Sequence, residues 1–75
     1  MNLNDVEKNV ECIITGINIS DEATKTRLME LGFTEGAHVM VLKKSVFRKT
    51  LLVSLFSVHF TLKDELAKGV IIYYA

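Results

Sequence analysis

Leu51-Leu52-Val53-Ser54-Leu55-Phe56-Ser57-Val58-His59-Phe60-Thr61-Leu62 carries the two strongest alternations of the chain. Leu51, Val53 and Leu55 share one side of an extended backbone, and Val58, Phe60 and Leu62 later oppose Ser57, His59 and Thr61. Successive side chains of a strand point to opposite faces, so residues 51–56 and 57–62 read as two strands, each with one face to bury. Working outward, Ala37 to Lys44 reads as a strand with Val39 and Val41 on one side. The connector from Ser45 to Thr50 contains no glycine or proline, and no turn type follows from it. Upstream, residues 10–17 are rich in β-branched residues, with Val10, Cys12 and Ile14 on one face and Gly16 marking a bend or bulge. Val70 to Tyr74 supplies a fifth strand.

One helix interrupts this pattern. Ser20 stands as N-cap, Asp21 and Glu22 suit the positive end of the helix dipole, and Thr24, Leu28 and Leu31 share a face. Gly32 supplies a left-handed stop with a positive φ, after which Phe33 packs back on Leu28. The helix is predicted over residues 21–31. Phe33 to Gly36 reads as a turn. Lys63 to Gly69 reads as one helical turn closed by glycine, and residues 1–9 as a short turn that packs down through Leu3 and Val6. Short strands with alternating faces protect their edges by closing on themselves. The predicted fold is mainly β: a small SH3-like five-stranded barrel, with one α-helix after the first strand and a short helical turn before the last.

Seventy-five residues make one domain, 1–75. Such a chain exposes roughly 4,600 Å² when folded and roughly 12,000 Å² unfolded, enough burial for one small core but not for a cleft between subdomains. Hydrophobic residues make up 49% of the chain, which excludes disorder. Nine basic and nine acidic residues cancel, against the habit of proteins that coat DNA. Cys12 is the single cysteine, so neither a disulfide framework nor a multi-cysteine zinc site can form within the chain. Met1 to Asp5 lacks the basic and apolar regions of a signal peptide, and the longest apolar run, Val70 to Ala75, falls far short of the ~20 residues that span a bilayer. A cytoplasmic location is expected.

Chemistry-bearing residues are sparse. The four glycines stand apart at 16, 32, 36 and 69, so no phosphate-cradling loop exists, and no Ser-His-Asp or Cys-His set is evident. Cys12, on an apolar strand face, reads as a small hydrophobe. No enzyme activity and no cofactor are expected. His38 and His59 lie on different strands without supporting ligands, and a stable metal site wants three or four. Surface histidines without a tight metal site are therefore expected, though one histidine could pick up metal between two molecules. Lys43, Lys44, Arg48 and Lys49 place four cations around one hairpin tip, either as a solubilising loop or for docking to an acidic surface. If Val39, Val41, Val53 and Leu55 point inward, then Met40, Leu42, Leu52 and Phe56 point outward. With Val46 and Phe47 they make an apolar patch beside the basic tip, or else a second core layer. The predicted partner-binding residues are Met40, Leu42, Phe47, Arg48, Lys49, Leu52 and Phe56, and weak self-association through them is expected.

Arg27-Leu28-Met29-Glu30-Leu31-Gly32-Phe33, then Gly36, then Val39 and Val41, resembles the FeoA family of ferrous-iron-transport accessory proteins. Leu52 to Lys63 is similar to that family's central hairpin, and Ala67, Val70 and Ile72 fall where its final strand begins. The resemblance runs from about Val10 to Tyr73. It implies an SH3-like barrel that binds the cytoplasmic part of the ferrous iron permease FeoB, a membrane GTPase, and regulates iron transport without catalysis. Several positions depart from the family pattern. Glu35 stands where a proline is usual, and Val46-Phe47-Arg48-Lys49-Thr50 replaces a Pro-Leu-Gly-Asp-Pro loop, keeping only the apolar second position at Phe47. Ser57 stands for a frequent glycine and Lys63 for a frequent arginine. Two other readings share the fold: a small nucleic-acid-binding barrel, and the detached barrel domain of an iron-dependent repressor. Zero net charge and the lack of an aromatic stacking platform stand against nucleic acid.

Overall fold

The computed structural model describes residues 1–75. In chain order the elements are β1 (Glu11–Ile17), α1 (Glu22–Leu31), β2 (His38–Ser45), β3 (Thr50–Leu55), β4 (Val58–Lys63), α2 (Asp64–Ala67) and β5 (Val70–Tyr74). All five strands join one antiparallel sheet in the order β4-β3-β2-β1-β5. Two irregularities curl it, one between Ile14 and Gly16 against β5, the other between Val41 and Lys43 against β3. A bulge bends its strand and raises the local twist, which lets so short a sheet wrap its own core. The first sits where Gly16 was expected to allow it. The result is an SH3-like barrel that is not strongly closed. No helix is long and apolar enough to cross a membrane.

Strand parity fills the interior as predicted. Cys12, Ile14, Val39, Val41, Leu51, Val53 and Leu55 are buried, and Phe33 meets Phe60 edge to face with ring centroids 5.5 Å apart. Leu3 and Val6 are fully buried as well. Their segment is pinned to β5, where the Leu3 N–H donates to the Val70 carbonyl at 3.2 Å and the Ile72 N–H to that of Met1 at 2.9 Å. No polar or charged residue is buried, and the folded surface of 4850 Å² is close to the size expectation.

Four local readings need correction. Helix α1 is preceded by Asp21, not Ser20, as its N-cap, and the Asp21 carboxylate is occupied by the Thr24 hydroxyl, with no first-turn amide capped by a side chain. Leu28 is the only α1 residue that is buried, and Leu31 is exposed. The chain reverses at Gly32, so Phe33 enters the core in place of Leu31. The two central strands do not abut: Phe56 and Ser57 form a two-residue turn with φ of 52° and 64°, which leaves Val58 exposed beside it. Finally, α2 ends at Lys68 in right-handed backbone. Gly69 serves close approach instead, because a Cβ there would lie 2.5 Å from Ile19 Cγ1 and 2.8 Å from the Asn18 carbonyl oxygen.

Candidate functional site

Strands β2 and β3 run out to a turn over residues 46–49, closed by the pair Ser45 and Thr50. The Arg48 N–H donates to the Ser45 hydroxyl at 3.2 Å, and Lys49 takes a left-handed φ of 55° to bring the chain back. Ser45 thus holds the turn by accepting a backbone bond, and Lys49 takes the left-handed position that a glycine would fill without strain. With the backbone satisfied locally, the side chains at the tip touch little: Val46 is 91% and Phe47 96% exposed. The cations divide around them. Lys43 and Arg48 share a hollow of about 420 Å³ with Leu52 on one face, while Lys44 and Lys49 border another, of about 280 Å³, with Asn4 and Asp64. The Lys44 ammonium donates to the Asn4 carbonyl at 3.2 Å. None of the four cations forms an ion pair, since the molecule's single pair joins His38 Nδ1 to Glu11 Oε2 at 3.3 Å.

Phe56 lies at the other end of β3. Six residues at ~3.3 Å each separate the two turns by roughly 20 Å, so Phe47 and Phe56 do not form one patch. The length of β3 sets that separation, and the turn at residues 56 and 57 in addition moves Phe56 off the strand face where simple parity would have placed it. Its ring rests on Gly32, where an added Cβ would come within 3.1 Å of Phe56 Cε2, yet Phe56 remains 69% exposed. Leu31, one residue from this contact, and Val58, two residues from it, are exposed too. A hollow of about 280 Å³ on the outer sheet face brings Phe56 together with Met40, Ser54, His38 and Glu11. Of the predicted residues, then, Met40 joins Phe56 and Leu52 joins Arg48. Leu42 is half-buried at the β2 bulge, Lys49 is on the opposite side of the hairpin from Arg48, and Phe47 stands alone at the tip.

A third feature escaped the sequence reading. Between α1, β4 and α2 runs a groove of about 660 Å³, with Leu28, Leu31, Leu62 and Leu66 on its floor and Asp21, Arg27, Lys63 and Glu65 along it. It joins residues distant in sequence, and its only local signal is that Leu31 and Leu66 lie on short helices with little else apolar. No three His, Cys, Asp or Glu side chains converge as metal ligands. The Cys12 thiol is buried, and that burial, reinforced by the Glu11 charge, pushes its pKa above the ordinary range.

The FeoA domain family matches residues 1–73. None of the curated proteins matches the chain. Among solved structures, FeoA from Stenotrophomonas maltophilia, determined with zinc, is 26% identical over 97% of this chain and 89% of its own, with a TM-score of 0.84. That protein is described as a procaryotic SH3 domain protein possibly acting as a bacterial ferrous iron transport activating factor. FeoA from Chlorobium tepidum is 23% identical over 99% of this chain and 70% of its own, with a TM-score of 0.89. The iron(II) transport protein A of Clostridium thermocellum is 17% identical with a TM-score of 0.87, and this chain, covered in full, spans 46% of that protein's length.

Proposed function

Because the chain belongs to the FeoA family, we propose that it is a non-catalytic accessory protein of ferrous iron transport, binding the cytoplasmic region of an FeoB-type permease. The observation that carries this reading is the family match over residues 1–73, on a fold that leaves Val46 and Phe47 exposed at one hairpin turn and Phe56 and Val58 at the other. The Phe56 end of the barrel is the contact we assign to the permease. There an aromatic ring lies on a helix terminus, beside the hollow shared with Met40 and the His38–Glu11 pair. An aromatic ring supported on one side and bordering a shallow hollow is the kind of group that dominates binding energy at interfaces. Leu52 and Leu42, half-buried on the sheet between the two hairpin ends, extend the apolar area.

The test is capture of the purified cytoplasmic region of the permease on the immobilised protein. The wild type is expected to retain it, and Phe56→Glu to reduce retention at least tenfold while thermal unfolding stays cooperative. No retention by the wild type, with both proteins folded, would overturn the reading. Retention unchanged by Phe56→Glu would move the contact elsewhere on the barrel.

A further inference from the structure

Charge is segregated along the chain in a way that the neutral total conceals. Residues 36–63 contain five of the nine basic residues, Lys43, Lys44, Arg48, Lys49 and Lys63, and none of the nine acidic ones. These residues are β2, β3 and β4 with their turns, so one arm of the molecule is positive and the remainder negative. At the end of that arm stand Val46 and Phe47, the most exposed large apolar side chains of the protein. From this we propose that the turn over residues 46–49 is a membrane-docking wedge, which inserts Val46 and Phe47 into the interface of an anionic phospholipid bilayer.

The occupant follows from the placement of the charge. Lys43 and Arg48 border the hollow on one face of the hairpin, and Lys44 and Lys49 the hollow on the other. Cations on both sides of a projecting apolar tip match a plane of anionic headgroups into which the tip descends, whereas a protein partner would be met on one face. The four cations are free of ion pairs, and Asp64 is the only carboxylate bordering either hollow. Apolar burial and attraction to anionic lipid add together for such interfacial elements. Nucleic acid fits less well, because the tip offers one aromatic ring and an aliphatic neighbour where stacking wants successive rings. The negative remainder of the molecule would turn away from the same surface, fixing the orientation in which the tip meets it.

The protein contains no tryptophan, so Phe47→Trp places a single fluorophore at the tip. Its emission is expected to shift to the blue on vesicles of phosphatidylglycerol with phosphatidylcholine, and to be quenched by brominated acyl chains. Vesicles of phosphatidylcholine alone should leave it unchanged. In co-sedimentation, Arg48→Gln with Lys49→Asn should weaken binding to the anionic vesicles about 25-fold, at roughly fivefold per cation removed. Phe47→Ser should weaken it about tenfold or more. Asparagine tolerates the left-handed backbone at residue 49, and all three positions are exposed, so the variants keep the fold. Absence of a shift on anionic vesicles, equal binding to both vesicle types, or a Phe47→Ser variant that binds like the parent would each overturn the proposal. So would tight, salt-dependent binding of an oligonucleotide without vesicle binding. No permease is present in these experiments, and their failure would leave the accessory role standing.

Discussion

Gly32 combines two requirements in one residue. Its φ of 112° lets the Gly32 N–H reach the Met29 carbonyl while the Phe33 N–H reaches that of Leu28, each at 3.0 Å, the paired bonds of a Schellman ending. The second requirement is space, because Phe56 Cε2 and Leu55 Cδ2 lie 3.1 and 3.2 Å from where a Cβ would stand. Gly32→Ala should therefore cost about 1–2 kcal/mol from the left-handed backbone, plus a share from the displaced ring. Urea denaturation of a double-mutant cycle with Phe56→Ser separates the two. The penalty should shrink in the Phe56→Ser background and not vanish; equal penalties in both would show that the ring gives way freely. Gly69 makes the contrast, since its backbone is unremarkable in φ but Asn18 and Ile19 close over it. Gly69→Ala should destabilise by about 1–3 kcal/mol through overpacking alone.

The β3–β4 turn is the element most at odds with its own sequence. Two-residue hairpin turns with positive φ at both positions favour Asn-Gly, because a side chain with a Cβ is disfavoured in left-handed backbone. Here they are Phe56 and Ser57. The position where the family frequently has glycine is thus one that the backbone wants glycine to occupy. Phe56→Asn with Ser57→Gly is expected to raise stability by about 1–2 kcal/mol, read as a shift in the urea midpoint. The same pair should lower retention of the permease's cytoplasmic region, since the aromatic ring is lost. A double variant that is no more stable than the parent would show that the turn carries no strain. Strain kept at a contact surface is a common companion of function, and the two measurements together test that link.

Viewed whole, the molecule is a well-packed sheet with a lightly attached helix. The β strands share a continuous core, whereas α1 commits only Leu28 to it and borders an open groove along β4 and α2. Regions with few buried apolar contacts open at lower free energy than the core. Hydrogen exchange should accordingly be faster for the amides of α1 than for the central strands β2 and β3, by tenfold or more at equal intrinsic rates. Equal protection across both would mean that α1 opens only with the whole molecule.

Sequence alone determined which side of most strands goes inside, because parity is local: Cys12 with Ile14, Val39 with Val41, and Leu51 with Val53 and Leu55 all found the core, whereas of Val58, Phe60 and Leu62 only Leu62 is fully buried. It likewise determined the end of α1 at Gly32, whose requirement for left-handed backbone is a property of that residue. The candidate site was legible only in part. Its exposed members Phe47 and Phe56 could be named, and the strand between them sets them apart, but the direction of Phe56 could not be read, because it depends on where one apolar run stops and a turn begins. Leu55 and Val58 pair across that turn, and the pairing, not the alternation, removes Phe56 and Ser57 from the strands. Exposure at Leu31 and Val58 was equally hidden, since a side chain on an apolar face is buried only if another element lies opposite. Tertiary structure decided how far each is covered: Leu31 borders an open groove that β4 and α2 do not close over, and Val58 stands at the turn with nothing packed across it.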